Sequence, residues 1–295
     1  MKPLDQKNFA IFILTHNRPH EVFTYDVLRK CGFTGKIFII IDNEDKQADE
    51  YRKVFGKEMV IQFDKAAIGK TFDIADTRTD RRATVYARNA SFQIAEDLGL
   101  DYFMQLDDDY NGFVYRYIKT YELKSVGIKS LDKVLDAMIT FLDESNALTV
   151  AMAQGGDYIG GAESKAAKTP LLRKSMNSFI FRTKRPITFV GRMNDDVNTY
   201  TVNGMRGELF FTTTILSVLP AQTQRGSGGM TEAYLSAGTY MKSMYSVMMC
   251  PSSVTVKLMQ TTHSRPHHRM KWNNTVPKII NERHRKLCAD TTPLP

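Results

Sequence analysis

The chain has 295 residues, 42% hydrophobic and 24% charged, with a formal net charge of +8; this is ordinary globular composition, enough for one enlarged α/β domain or a domain with an appendage. Its three cysteines, Cys31, Cys250 and Cys288, lie far apart without C-x-x-C spacing, which excludes a zinc knuckle and a disulfide scaffold and fits a reducing cytoplasm. No apolar stretch approaches a bilayer span and the N-terminus carries no apolar signal core, so a soluble protein with no membrane partner is expected.

Residues 9–14 read as a strand, after which Pro19 opens a helix carrying Val22, Phe23, Val27 and Leu28 until Gly32 stops it. A second buried strand spans 36–41, a polar helix lies near 45–54, and a third strand covers 59–63. Residues 84–98 are helical, with Tyr86, Ala90, Ile94 and Leu98 stacked at i, i+4 steps. A fourth strand then runs Tyr102-Phe103-Met104-Gln105-Leu106 straight into Asp107-Asp108-Asp109. Strand and helix alternating at this rhythm mean βαβ units and a parallel sheet with right-handed crossovers.

Past Asp109 the rhythm changes. Ser130 caps a helix with Leu131, Val134, Leu135, Met138, Phe141 and Leu142 on one face. A strand at 148–153 leads into a glycine loop at 155–161 containing Asp157. Further strands at 178–182, 208–216 and 253–259 predict a mixed sheet, and 230–244 can hold a helix. From His263 onward strand periodicity is lost, and a basic tail with a short helix near 277–286 is expected.

Parallel strands place their following turns on one edge of the sheet, where open α/β folds bind ligands. Here those turns hold Thr15-His16-Asn17-Arg18, Asp42-Asn43, Asp64-Lys65 and the three aspartates. Adjacent carboxylates at such a position suit a hard divalent cation that bridges protein oxygens to substrate phosphates. There is no G-x-G-x-x-G, and Gly69-Lys70-Thr71 lacks the first glycine of a P-loop, which excludes the nicotinamide dehydrogenase and P-loop kinase readings.

Basic residues are unevenly spread. Between His263 and Lys286 lie Arg265, Arg269, Lys271, Lys278, Arg283 and Arg285, opposed only by Glu282, and a second cluster runs Lys165, Lys168, Arg173, Lys174, Arg182, Lys184 and Arg185. Such patches suit a polyanionic partner, because its phosphates release counterions on binding.

In order along the chain, Ile13-Leu14-Thr15-His16-Asn17-Arg18-Pro19, Asp42, Ala87-Arg88-Asn89, Asp107-Asp108-Asp109 and Met193-Asn194-Asp195-Asp196 resemble the motifs of nucleotide-sugar glycosyltransferases with the GT-A fold. With Pro266-His267-His268-Arg269, Trp272 and Val276-Pro277-Lys278-Ile279-Ile280 added, the chain resembles the phage TET-associated glycosyltransferases, which are thought to attach sugars to hydroxymethylated pyrimidines in DNA. The resemblance implies a GT-A (Rossmann-like) domain over 1–262, its mixed, mainly parallel sheet flanked by helices, and a basic C-terminal segment over 263–295 packed on it.

It further implies a UDP-sugar donor, Mn2+ or Mg2+, and transfer to 5-hydroxymethylcytosine in double-stranded phage DNA within the cytoplasm of an infected bacterium. Asp107, Asp109 and His263 (or His268) would hold the metal. Thr15, Asn17, Arg18, Asp42, Arg88, Asn89, Asp107 and Asp108 would bind the donor, and Asp196, with Asp195 as the other candidate, would act as general base in an inverting displacement. Arg269, Lys271, Trp272 and Lys278 would meet the DNA, Trp272 by stacking on a base or by filling the gap left by an extruded nucleotide. Asp157 in the glycine loop would bind hydroxyls of the sugar, and residues 224–229 suit a lid that closes over donor or acceptor. A protein or glycan acceptor, a catalytically inert nucleic-acid-binding module and a metal nuclease remain open as other readings of the same residues.

Overall fold

The computed structural model describes residues 4, 7–77, 81–164, 167, 174–220, 231–259 and 264–285, and only the backbone of 231–239. The first half alternates as its hydrophobic pattern dictates. Strand β1 (Phe9–Leu14) leads to helix α1 (Phe23–Lys30), β2 (Lys36–Asp42) to α2 (Ala48–Phe55), and β3 (Val60–Phe63) to a single turn, α3 (Lys65–Ile68). Helix α4 (Val85–Asp97) then precedes β4 (Tyr102–Asp107). These four strands are parallel in the order β3-β2-β1-β4. Strand β1 is buried on both faces: Phe9, Ile11 and Ile13 pack with α1, α2 and a later helix, while Ala10, Phe12 and Leu14 pack with α4. A strand covered on both sides has to be apolar throughout, which is why FAIFIL does not alternate.

Beyond β4 the chain forms a hairpin of β5 (Tyr110–Lys119) and β6 (Glu122–Gly127), then helix α5 (Leu131–Ser145), β7 (Thr149–Gln154) and β8 (Ile180–Arg182). Helix α6 (Asp195–Met205) and β9 (Phe210–Pro220) complete a sheet of nine strands among the described residues, ordered β3-β2-β1-β4-β8-β7-β9-β5-β6. The pairings make β1–β4, β6, β7 and β9 run one way and β5 and β8 the other. The β5–β6 hairpin is absent from the sequence reading for a physical reason. Edge strand β6 is almost wholly exposed, so it has no apolar face to give a period-2 signal.

Three expectations are corrected. Helix α1 begins at Phe23, not at Pro19, which sits in a turn. Helix α7 (Thr231–Met249) is followed by β10 (Val254–Met259) and then by another strand, β11 (Arg265–Met270), where no strand was expected. The two pair antiparallel as a separate small sheet. Arg-Pro-His-His-Arg-Met has no hydrophobic alternation; its extended shape comes from pairing with β10, which pattern alone does not reveal. In place of a helix near 277–286 there is a single turn, α8 (Trp272–Thr275), and a 3-10 turn at Glu282–His284.

Residues 264–285 are fastened to the large sheet's layer. Buried Glu208 receives the His284 ring at 2.7 Å and Arg283 Nε at 2.9 Å. His284 Nδ1 lies 2.8 Å from the Asn146 carbonyl oxygen, and the Asn146 side chain donates to the Arg283 carbonyl at 2.7 Å. Trp272 stacks on Tyr200 of α6, with ring centroids 6.1 Å apart and planes at 12°. A Cβ on Gly204 would fall 2.2 Å from the Thr275 carbonyl oxygen, so α6 and α8 can touch only where α6 has no side chain. Gly204→Ala is therefore expected to cost about 1–3 kcal/mol by overpacking and to speed tryptic cleavage between 264 and 285. Unchanged melting temperature and digestion pattern would refute this account of the packing.

Candidate active site

The three aspartates are held by the start of α1. Thr24, fully buried, donates its N–H to the Asp108 carbonyl at 3.0 Å and its hydroxyl to the Asp107 carbonyl at 2.7 Å, while that hydroxyl accepts the Tyr110 N–H at 2.9 Å. One threonine thus fixes both ends of the turn. The three carboxylates then diverge. Asp108, with a side chain only 1% exposed, takes a two-pronged bond from Arg18, Nε to Oδ2 at 2.7 Å and Nη2 to Oδ1 at 2.5 Å. Asp108 and Arg18, both expected at the donor, therefore hold each other and lock the loop after β1 against the turn after β4.

Asp107 keeps 26% of its side chain exposed and lies 3.3 Å from Arg88 Nη2. Burial, only partly offset by Arg88 and reinforced by Asp109 and Asp108, pushes its carboxyl up to about 7. Asp109 is half-buried, and burial raises it too, against the charge of Arg18. With Asp108 taken by Arg18, Asp107 and Asp109 remain a concentration of negative charge that an added cation would relieve. Among the described residues, no three His, Cys, Asp or Glu side chains form a ready-made metal cage. His263 lies outside the described residues, as does the expected lid at 224–229.

Arg88 is the centre of the cleft. Its side chain is 2% exposed, lies between the rings of Phe179 and Phe189 at 5.5 and 5.6 Å, and donates to Asn177 Oδ1 at 2.7 Å. Its Nε is 2.8 Å from Asp195 Oδ2, close enough for an ion pair but poorly aligned as a hydrogen bond, so Nε and Nη1 retain unfilled donor capacity. Asp195 and Asp196 open α6 behind Asn194, which adopts φ +53; the helix N-terminus favours their charge. Burial pushes the Asp195 carboxyl up to about 6, against the pull of Arg88 and with Asp196 adding to the rise. Asp196 is turned back on its own helix and accepts the Val197 N–H at 2.7 Å. One arginine thus joins the triple-aspartate turn to the acidic pair, 88 residues further along the chain by the distance from Asp107 to Asp195.

The side of the cleft after β1 and β2 is equally built. Asp42, 4% exposed, accepts from the Glu44 N–H at 3.0 Å, lies 2.9 Å from His16 Nδ1 and 3.1 Å from Lys65 Nζ. Burial would raise its carboxyl, but His16 and Lys65 more than offset that and hold it below the usual range. Buried Asp45 accepts the Asn17 N–H at 2.7 Å, which sets Asn17 at φ +59, and the Thr15 hydroxyl meets Tyr51 at 3.0 Å. Thr15, Asn17, Arg18, Asp42, Arg88, Asp107, Asp109 and the acidic pair therefore surround one edge of the sheet. Asn89 does not join them through its side chain, which exchanges two hydrogen bonds with the backbone of Phe189, at 2.8 and 3.0 Å.

The basic residues divide by use. Arg182 bonds Asp143 and the Ala147 carbonyl, and Arg185 bonds Asn146, so these tie loops together. Lys165, Lys168, Arg173 and Lys286 lie outside the described residues. Arg269, Lys271 and Lys278 are exposed, whereas Trp272 is already stacked on Tyr200. The sequence reading had Lys65 in a turn at this edge but not its pairing with Asp42, and it missed Thr24 and a clasp in which Arg192 holds Asp76 at 2.8 and 3.0 Å and Tyr245 donates to Asp76. The clasp joins the loop before the acidic pair to α7, and no local pattern marks such a long-range pairing.

The sequence profile of the family described as TET-Associated Glycosyltransferase matches residues 9–229. The chain belongs to this family and is a glycosyltransferase with an α/β fold. Among solved structures, glucosyl-3-phosphoglycerate synthase from Mycobacterium tuberculosis, in complex with Mn2+ and UDP-glucose, is 10% identical with a TM-score of 0.49, over 90% of this chain and 88% of that one. TarS 1–349 from S. aureus is 11% identical with a TM-score of 0.42, over 73% of this chain and 61% of that one. No curated protein sequence matches the chain. No helix among the described residues is long and apolar enough to cross a membrane.

Proposed function

We propose that the protein transfers a sugar from a uridine diphosphate sugar to the hydroxyl of 5-hydroxymethylcytosine in double-stranded DNA, in the cytoplasm of a phage-infected bacterium. The observation that carries this reading is the turn carrying Asp107 and Asp109, with Asp107 joined through Arg88 to Asp195 of a second acidic pair at the start of α6. Family membership supports the transfer, and the basic residues of the C-terminal segment support a DNA acceptor. In this reading residues 1–262 form the transferase domain and 263–295 a segment packed on it.

Asp107 and Asp109 fit Mn2+ or Mg2+, because such ions are held by one or two carboxylates and complete their shell with water and substrate phosphates. When bound, the ion supplies Lewis-acid stabilisation of the departing diphosphate. Asp42, with Thr15 and Asn17 beside it, frames the nucleoside. Arg88 offers its unfilled donors to negative charge in the cleft and holds Asp195 in place. Asp195 takes the proton from the acceptor hydroxyl as the new bond forms, and inversion at the anomeric carbon follows. The geometry favours Asp195 over Asp196 here, because Asp196 is spent on the Val197 N–H.

The test is to incubate the protein with Mn2+, a panel of nucleotide sugars, and duplex DNA with or without hydroxymethylcytosine, then weigh the digested nucleosides. A hexose or pentose mass on the modified base alone is expected. Nucleoside diphosphate release without an adduct would overturn the DNA acceptor, and silence in both readouts would overturn donor chemistry as well.

A further inference from the structure

The nine-stranded sheet ends on β6, whose strand neighbour among the described residues is β5. The two are joined by a two-residue turn, Thr120 and Tyr121, both at positive φ, with Lys119 facing Glu122 across it. The pair that closes such a hairpin is hydrogen-bonded, so Glu122, Lys124 and Val126 turn their backbone groups to β5. The N–H and C=O groups of Leu123 and Ser125 then point out of the edge of the sheet. Leu123 leans on Ala153 and Tyr158, which fixes the face that this edge presents.

The hairpin also gathers exposed apolar side chains. Tyr115, Tyr117, Ile118, Tyr121 and Val126 all lie open, Tyr121 at 94%. An exposed concentration of this kind marks an interaction surface. We propose that β6 is the contact between two copies of this chain, pairing antiparallel with itself across a two-fold axis at Leu123. The inference is independent of the donor and acceptor assigned above.

Charge selects both the occupant and the register. Edge strands commonly carry charges that repel a second strand, but on β6 the two charges, Glu122 and Lys124, share one face and have opposite sign. An axis at Glu122 or at Lys124 would set like charges directly opposite each other, which is destabilising. An axis at Ser125 would oppose Lys124 to Val126 and leave Glu122 beyond the paired stretch. With the axis at Leu123, Glu122 of each copy meets Lys124 of the other, twice over by symmetry. A surface that complements itself in this way is what a two-fold contact requires. The same register sets Leu123 against the second copy's Leu123, flanked on each side by Ile118, its partner on β5. It also gives Tyr121 a neighbour, the second copy's Ser125. Because β6 runs with β1–β4, the paired copy is reversed, and the two clefts open at opposite ends of the joined sheet. An interface built on one short strand falls near the roughly 1,200 Å² lower end of specific contacts, so dissociation in the micromolar range is expected.

The test measures mass by light scattering and sedimentation across micromolar concentrations for wild type, Glu122→Lys, Lys124→Glu and the double exchange. Wild type is expected to move with concentration from 33.6 kDa toward twice that mass. Each single reversal places like charges opposite each other on both sides of the axis and should weaken association roughly tenfold or more. The double exchange should restore it. So should an equimolar mixture of the two single variants, whose strands complement only each other. Both positions are exposed, so the melting temperatures of the dilute proteins should stay within about 2 °C of wild type, which separates loss of contact from loss of fold. A monomer at every concentration, or a dimer indifferent to all of these changes, would overturn the proposal. Assembly beyond two copies would overturn the two-fold axis. None of these readouts involves DNA or sugar transfer, so failure of the dimer and failure of the proposed function are separately visible.

Discussion

Replacing Arg88 with methionine is expected to lower the melting temperature at pH 8 by on the order of 10 °C and to abolish transfer. The size follows from what the substitution leaves behind. Arg88 is 2% exposed and is the cation set against both Asp107 and Asp195. Breaking a buried pair by removing one partner typically costs about 3–5 kcal/mol, because the other charge stays buried and uncompensated. Methionine fills the space between Phe179 and Phe189, so the loss reports charge and hydrogen bonding more than a cavity.

The pH dependence gives the prediction its sign. Both carboxyls already stand above their ordinary value of 3.8, Asp195 at about 6 and Asp107 at about 7. The folded state therefore holds these protons more tightly than the unfolded state, and stability falls as pH rises from about 4 through 7. Without Arg88 both groups move higher still, and the fall continues above pH 7. The gap in melting temperature between wild type and variant should thus be small near pH 4 and widest near pH 8. Arg88→Lys keeps the charge but not the fork, and should recover part of the stability. A gap of constant size across pH 4–8 would mean that Arg88 acts by packing alone.

How much of this was legible beforehand depends on the range of the interaction that fixes each residue. Strands β1, β2 and β4 announce themselves because burial on both faces demands unbroken apolar runs, and the turns that follow them hold Thr15, Asp42 and Asp107 in view. Position within the cleft is a different matter. Asp107, Asp108 and Asp109 are adjacent in sequence, yet only the fold shows that Asp108 is consumed by Arg18 while Asp107 stays half open. Arg88 and Asn89 are likewise neighbours, and helical geometry sends one to the acidic pair and the other to the Phe189 backbone. Strand β11 was invisible because its residues are polar and its shape is borrowed from β10. Helix α6 was missed because Asp195–Met205 has buried threonine and asparagine where an amphipathic helix would show leucine. Two of its buried polar side chains bond instead to carbonyls, Thr201 to Val197 and Asn198 to Met193.

Asp195→Asn is expected to lower kcat by about 10²–10⁴, the usual range for loss of a general base, with little change in donor KM. Asparagine keeps the shape and can still face Arg88, so the fold should persist. Only the ability to accept a proton goes. The wild-type rate should rise with pH through about 6 as the Asp195 carboxyl, held up by burial and by Asp196 against the pull of Arg88, releases its proton. That limb should vanish in the variant, which a purely structural role would not predict. Asp196→Asn should cost much less, because the side-chain oxygen that meets the Val197 N–H remains available in asparagine. The sequence motif alone ranks the two the other way. A larger loss in Asp196→Asn, with the limb near pH 6 intact in Asp195→Asn, would restore that order. It would also confine Asp195 to holding Arg88 between the two acidic clusters.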